Sequence, residues 1–259
     1  MKRRVVAAGL IDFVVAAVGA ARAVERPFFH LEFDRVFPND VYREMLAAMP
    51  NTSDYRRMSG RRKEDVREDG TPTRVKIDLF PEYIRSLPAE KRPVWEKVGR
   101  ALCAREVQAA FVRRLAPGLK RRFGDGLANV DLYPVPILTR DVPGYKIAVH
   151  TDTHWKGITV QLYLPRDESH VNIGTIFHER RPDGSLTRTQ MRFAPNTGYA
   201  FAVGDDSLHS ADPVGPEVET RDSILLTYFV DAGLMRFFRN RGKRLGNFVL
   251  NEVRSAGRS

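Results

Sequence analysis

The sequence predicts an α+β protein, with helices in its first half and an antiparallel jelly-roll-type sandwich or barrel in its second. Three observations carry that prediction. Residues 90–123 contain two stretches of helical apolar periodicity, Pro93–Leu102 and Val107–Leu115. From about residue 130 the chain changes to short segments rich in β-branched and aromatic residues, separated by Gly, Pro, Asp and Asn. Seven such segments, 132–139, 144–152, 157–164, 171–178, 186–193, 198–203 and 223–230, are more than a hairpin needs and match a two-sheet antiparallel arrangement.

The elements follow in chain order. Residues 5–24 read as an Ala- and Val-rich helix. The basic start Lys2-Arg3-Arg4, the apolar run and Ala21-Arg22-Ala23 imitate a secretory signal, but Asp12 interrupts the run. The segment is therefore read as an amphipathic helix of a soluble, cytoplasmic protein, and its apolar stretches are too short to span a membrane. Arg26–Phe33 reads as a short strand, and residues 40–49 as a helix capped by Asn39 or Asp40 and stopped by Pro50. Residues 51–75 carry almost no apolar content and read as a loop, either a lid or a solvated insertion. The stretch 232–259 is basic, with a helix expected around 246–254. The whole, 1–259, is read as one domain: helical support over 1–129, a β core over 130–231 and a basic C-terminal segment over 232–259.

Composition limits the chemistry. The chain has 259 residues, 42% hydrophobic and 29% charged, enough for a real core and unlike a disordered chain. A formal charge of +10 is compatible with nucleic acid, an anionic membrane or acidic small molecules and selects none of them. The single cysteine, Cys103, excludes an internal disulfide framework and Cys-x-x-Cys zinc sites. Cys103 lies in a helical pattern as a core filler, and site chemistry falls to His, Asp, Glu, Arg and hydroxyl residues.

One constellation stands out. Val149-His150-Thr151-Asp152 closes a strand that follows the Pro143-Gly144 turn; His209 comes 59 residues after His150, Arg221 follows His209 by 12, and Ser223 by two more. Residues i and i+2 of a strand share a face, so His150 and Asp152 can point inward together, and so can Arg221 and Ser223. With His209 from an adjacent strand they form two imidazoles and one carboxylate on one side of a metal, leaving positions open as a non-haem Fe(II) oxygenase requires. Zinc with three protein ligands uses the same residues, so both metals stay open at this point. A guanidinium and a hydroxyl side by side suit the distal carboxylate of a diacid, although Asp222 or Glu219 could instead be the partner of Arg221. Taken singly, each residue has a plain structural reading; their order, spacing and strand placement favour a site. His30, His170 and His178 have no partners in spacing and read as structural or surface residues, and His154 as supporting or substrate-facing.

The pattern His-x-Asp, a distal His, then Arg-x-Ser resembles that of the Fe(II)/2-oxoglutarate-dependent dioxygenase superfamily. Pro143–Asp152 is similar to the lead-in strand of its bacterial prolyl-hydroxylase-like and alkylation-repair-like branches, and Pro195–Phe201 with Leu208-His209-Ser210-Ala211 to the approach to the distal His. Pro27-Phe28-Phe29-His30 and Phe37-Pro38 resemble the entry of such domains. The resemblance implies a double-stranded β-helix (jelly-roll, cupin-like) barrel with N-terminal supporting helices. It implies iron on His150, Asp152 and His209, 2-oxoglutarate held by Arg221 and Ser223, and O2 as the second cosubstrate. Related branches also place Asn and Tyr before the Pro-Gly turn to touch the 2-oxo acid; here that stretch reads Thr139-Arg140-Asp141, leaving Thr139 or Tyr163 as substitutes, with wall packing as their other role. The carboxylate of Asp152 points to hydroxylation, or a desaturation or demethylation that starts the same way, rather than halogenation.

The implied function is hydroxylation of a C–H bond of a small molecule, an amino acid or natural-product intermediate, with release of succinate and CO2. Two alternatives stand beside it. An oxygenase acting on a macromolecule is suggested by the +7 of residues 90–123 and the +6 of 232–259, but these stretches lack interleaved aromatics apart from Phe237-Phe238. A non-enzymatic metal-binding barrel is the other. Arg140, Asp141 and Lys146 are expected near the mouth, as substrate-reading charges or surface ion pairs.

Overall fold

A computed structural model describes residues 2–58, 66–67 and 69–231. The basic segment 232–259, its expected helix and Phe237-Phe238 lie outside these residues, as does part of the 51–75 loop.

The helices are α1 (Lys2–Ala20), α2 (Asn39–Ala47), α3 (Pro81–Ile84), α4 (Arg92–Leu102), α5 (Arg105–Arg114) and α6 (Ala116–Phe123). The strands are β1 (Arg22–Val24), β2 (His30–Phe33), β3 (Arg56–Arg57), β4 (Arg74–Asp78), β5 (Asp131–Asp141), β6 (Ile147–His150), β7 (Lys156–Tyr163), β8 (Ile176–Phe177), β9 (Thr189–Gln190), β10 (Gly198–Ala202), β11 (His209–Ala211) and β12 (Arg221–Asp231). They form an eight-stranded sheet, in the order β1-β2-β10-β7-β12-β5-β4-β3, and a four-stranded sheet, β6-β11-β8-β9, with every pairing antiparallel.

The two faces of the large sheet explain the architecture. Directly paired residues share a face, so Leu138, Ile224 and Leu162 lie together, as do Leu226 and Val160. These apolar residues are buried against the helices, with Leu10, Val14 and Val18 of α1, Trp95, Val98 and Leu102 of α4 and Phe111 of α5. Each such side chain contributes about 1.5–3 kcal/mol through burial. The spacing of Trp95, Val98 and Leu102 gives α4 one apolar face, and Trp95 Nε1 donates to the Ala48 carbonyl (2.8 Å), tying α4 to the end of α2. Gly99 lets α4 press on the sheet: a Cβ there would stand 2.2 Å from the Leu79 carbonyl oxygen.

The opposite face carries Arg221, Ser223, Leu225, Thr139, Asp141, Tyr163, Gln161, Thr159, Tyr199 and Phe201 and turns toward the small sheet. A second apolar cluster joins the sheets there, with Phe177 of β8 against Tyr199 and Phe201 of β10 at ring separations of 4.8 and 5.8 Å. This inner face mixes polar and aromatic residues because it must line a site as well as close one end of the sandwich.

Several boundaries differ from the sequence expectation. Residues 88–123 hold more than two helices; Pro117 in the first turn separates α6 from α5, with Leu115 closing one and preceding the other. The end of the 51–75 loop is β4, whose residues 74–78 pair with β5. The expected strand 171–178 is a 3₁₀ turn (Val171–Ile173) followed by β8, and β11 was not expected. Pro134 and Pro136 lie within β5 because β4 pairs only with 137–141, which leaves the first half of β5 an edge where a missing N–H costs nothing.

Candidate active site

β6 and β11 bring the two imidazoles together. His150 and His209 are paired across these strands, and their ring centroids are 4.3 Å apart. Asp152, just past the end of β6, completes the cluster: ligand atoms of His150, Asp152 and His209 all lie within 4.8 Å of one another. Each histidine places its Nδ1 on the carbonyl two residues back, His150 on Ala148 and His209 on Ser207, both at 2.9 Å. A carbonyl only accepts, so Nδ1 carries the proton and Nε2 presents its lone pair, the tautomer a metal ligand needs.

Asp152 is held on both oxygens, Oδ1 by the Lys156 ammonium (2.5 Å) and Oδ2 by the Thr159 hydroxyl (2.6 Å). Burial would raise its carboxyl, but the charges of Lys156 and His209 and these hydrogen bonds bring it down to about 2. Burial pushes the His209 imidazole down to about 4, against the pull of Asp152, so the ring is neutral across the physiological range. The donor set is therefore one carboxylate and neutral nitrogen, and it fits a divalent first-row metal.

The same chamber is lined by Arg221, Arg74, Tyr145, Tyr163, Thr175 and Gln161. Arg221 is buried and fixed, with Nε and Nη2 donating to Asp141 Oδ2 (3.0 and 2.8 Å) and Nη1 to the Ile173 carbonyl (2.6 Å). Arg74 forks onto the same carboxylate, its Nη2 at 2.6 Å from Oδ2, and the Tyr145 ring lies over both guanidiniums, 3.9 and 5.3 Å from its centroid. Two guanidiniums on one carboxylate thus form a cationic end wall that lines the same cavity, of about 60 Å³, as the His-Asp-His cluster.

The other candidates separate. Ser223 shares the inner face, yet its hydroxyl meets Thr139 Oγ1 (2.9 Å) and Gln161 Nε2 (2.5 Å), so Gln161 and not Ser223 or Thr139 lines the chamber. Tyr163 does line it, with its hydroxyl accepting from the Thr175 amide (2.9 Å). Asp141 is fully buried rather than at the mouth, and Arg140 lies on the opposite face, paired with Asp222 (2.8 Å) under the Tyr55 ring. Lys146 is exposed. His30 and His178 are buried and hydrogen-bonded on both ring nitrogens.

A second cavity of about 410 Å³ reaches Asp152 from the α6–β10 side, lined among others by Phe28, Phe29, Arg121, His154 and Asp205. Lys156, Thr159 and Gln161 were legible in principle: they start or alternate along β7 toward Asp152. Arg74 had no signal, because it follows a stretch with almost no apolar residues.

No protein-family model matches the sequence, and no curated protein matches it. Solved structures do resemble it. A prolyl hydroxylase from Trichoplax adhaerens, in complex with a hypoxia inducible factor oxygen degradation domain peptide fragment, is 12% identical, covering 85% of this chain and 88% of that one at a TM-score of 0.51. A prolyl 4-hydroxylase from Phytophthora capsici is 13% identical over 78% of this chain and 58% of that one, at 0.50. A Pseudomonas putida prolyl-4-hydroxylase is 14% identical over 85% and 98%, at 0.48. What the first two of these likenesses share with the chain is architecture: it has the fold of these prolyl hydroxylases.

Proposed function

We propose that the chain is an Fe(II)/2-oxoglutarate-dependent dioxygenase that hydroxylates a C–H bond of a small molecule, releasing succinate and CO2. The observation that carries this reading is the convergence of His150, Asp152 and His209 in one chamber with Arg221. The two facing sheets are read as the halves of a double-stranded β-helix, and 1–259 as one oxygenase domain acting in the cytoplasm. Among the described residues no helix is long and apolar enough to cross a membrane.

In this reading His150, Asp152 and His209 hold Fe(II), and Arg221 takes the distal carboxylate of 2-oxoglutarate. Bound iron supplies the activation of O2 that a side chain cannot. The chain's own part is placement. Ala148 and Ser207 carbonyls fix the imidazole tautomers, Thr159 orients the carboxylate, and Asp141 with Ile173 holds the guanidinium toward the cavity. His209 is buried and the Asp152 side chain is only 9% exposed, while His150 is half-buried. Ser223 and Thr139 support this wall through Gln161.

The second cavity, at about 410 Å³, lies within the range that encloses a compact ligand and touches the ligand carboxylate Asp152, which favours a small substrate over a macromolecule. The test is succinate formation from 2-oxoglutarate with Fe(II), O2 and ascorbate. Turnover lost in His150→Ala and in Asp152→Ala supports the reading. Zinc retention without any 2-oxoglutarate consumption overturns it.

A further inference from the structure

Lys156 is a cation at a place where a cation is due to bind. It opens β7, four residues after Asp152, and its ammonium lies 2.5 Å from Asp152 Oδ1 inside the chamber that His150 and His209 line. The side chain is 21% exposed, so water screens the charge only in part. Its main chain is pinned, with the amide on the Thr153 carbonyl (2.9 Å) and its own carbonyl taken by Arg122. Only the side chain is left to move.

We propose that Lys156 makes metal binding at this site conditional on an anionic co-ligand. The inference rests on the reading of His150, Asp152 and His209 as the metal site. A divalent ion that takes the Asp152 carboxylate comes to lie beside the ammonium, and two cations sharing one carboxylate in a partly water-excluded chamber repel each other strongly. The ammonium also loses part of the charge that held it. An anion bound next to the metal relieves both effects, because it pairs with the ammonium and with the metal at once. A 2-oxo acid or dicarboxylate that reaches from the metal toward Arg221 has that chemistry. Coupling of this kind is reciprocal, so the ion raises the affinity for the anion by the same factor. The device keeps the metal site weak until the cosubstrate is present.

The test is Co(II) titration of the metal-free full chain, read by visible absorption, with and without 2-oxoglutarate. Lys156→Met and Lys156→Gln are expected to bind Co(II) alone about tenfold or more tighter than the unsubstituted chain. The tightening produced by 2-oxoglutarate is expected to shrink by a similar factor in both. Lys156→Arg keeps the charge and the original pattern. Thermal melting shows whether each variant is folded. Unchanged or weaker Co(II) binding in both neutral variants, or an undiminished effect of 2-oxoglutarate, overturns the inference while leaving the metal site standing. Absence of Co(II) binding in the unsubstituted chain and in every variant overturns the metal reading and this inference with it.

Discussion

Asp141→Asn tests the cationic end wall. Asp141 is fully buried and accepts from the guanidiniums of both Arg74 and Arg221. Asparagine keeps its shape and removes its charge, leaving Arg221 buried without the carboxylate that neutralises it. Breaking a buried pair on one side costs about 3–5 kcal/mol. For a chain of this size that lowers Tm by about 6–20 °C. The pH dependence adds a second signature. Burial pushes the Asp141 carboxyl up, but the charges and hydrogen bonds of Arg74 and Arg221 more than offset it, and the group lies below the ordinary carboxylate range. Its stabilisation is therefore complete above the unfolded value of about 3.9 and fades as pH falls from there toward the folded value. As pH falls below about 4 the unsubstituted chain should lose stability more steeply than Asp141→Asn, so the two melting curves converge on acidification. Thermal denaturation by circular dichroism at several pH values measures both. A variant that melts within about 2 °C of the parent near neutral pH, or a gap that does not narrow in acid, refutes the argument.

Three further outcomes follow from the packing and the site. Gly99→Ala forces a Cβ to 2.2 Å from the Leu79 carbonyl and should destabilise by about 1–3 kcal/mol, measured by urea denaturation. Leu226→Ala empties a fully buried position between sheet and helices and should cost about 2–5 kcal/mol in the same assay. Thr159→Val removes the hydroxyl that orients Asp152 and should weaken Co(II) binding about tenfold or more, with Tm little changed. A shift in Tm without a change in metal affinity would instead mark Thr159 as a packing residue.

The site was readable wherever strand parity governed it. β7 and β12 lay close to where alternation put them; Asp152 lies just past the end of β6, so its approach to His150 depends on the chain beyond the strand rather than on alternation. Parity did less for Ser223. It fixes the face a side chain points to but not which neighbour lies above it, and Gln161, one pair along β7, reaches across. Arg74 was hidden for a different reason. Its strand follows a polar stretch, so local composition announced a loop, and only pairing with β5 makes residues 74–78 a strand. Asp141 was misplaced at the mouth because a charged residue beside a Pro-Gly turn reads as surface. Its burial depends on two arginines that come from β4 and β12, far away in the chain.

The claim on which the rest depends is measured most directly by anaerobic Fe(II) binding. After dialysis against Fe(II), the metal retained per chain is determined for the unsubstituted protein and for His209→Ala, each in the presence of 2-oxoglutarate. One equivalent in the first and almost none in the second is the predicted result. Equal retention in both, or none in either, would contradict it.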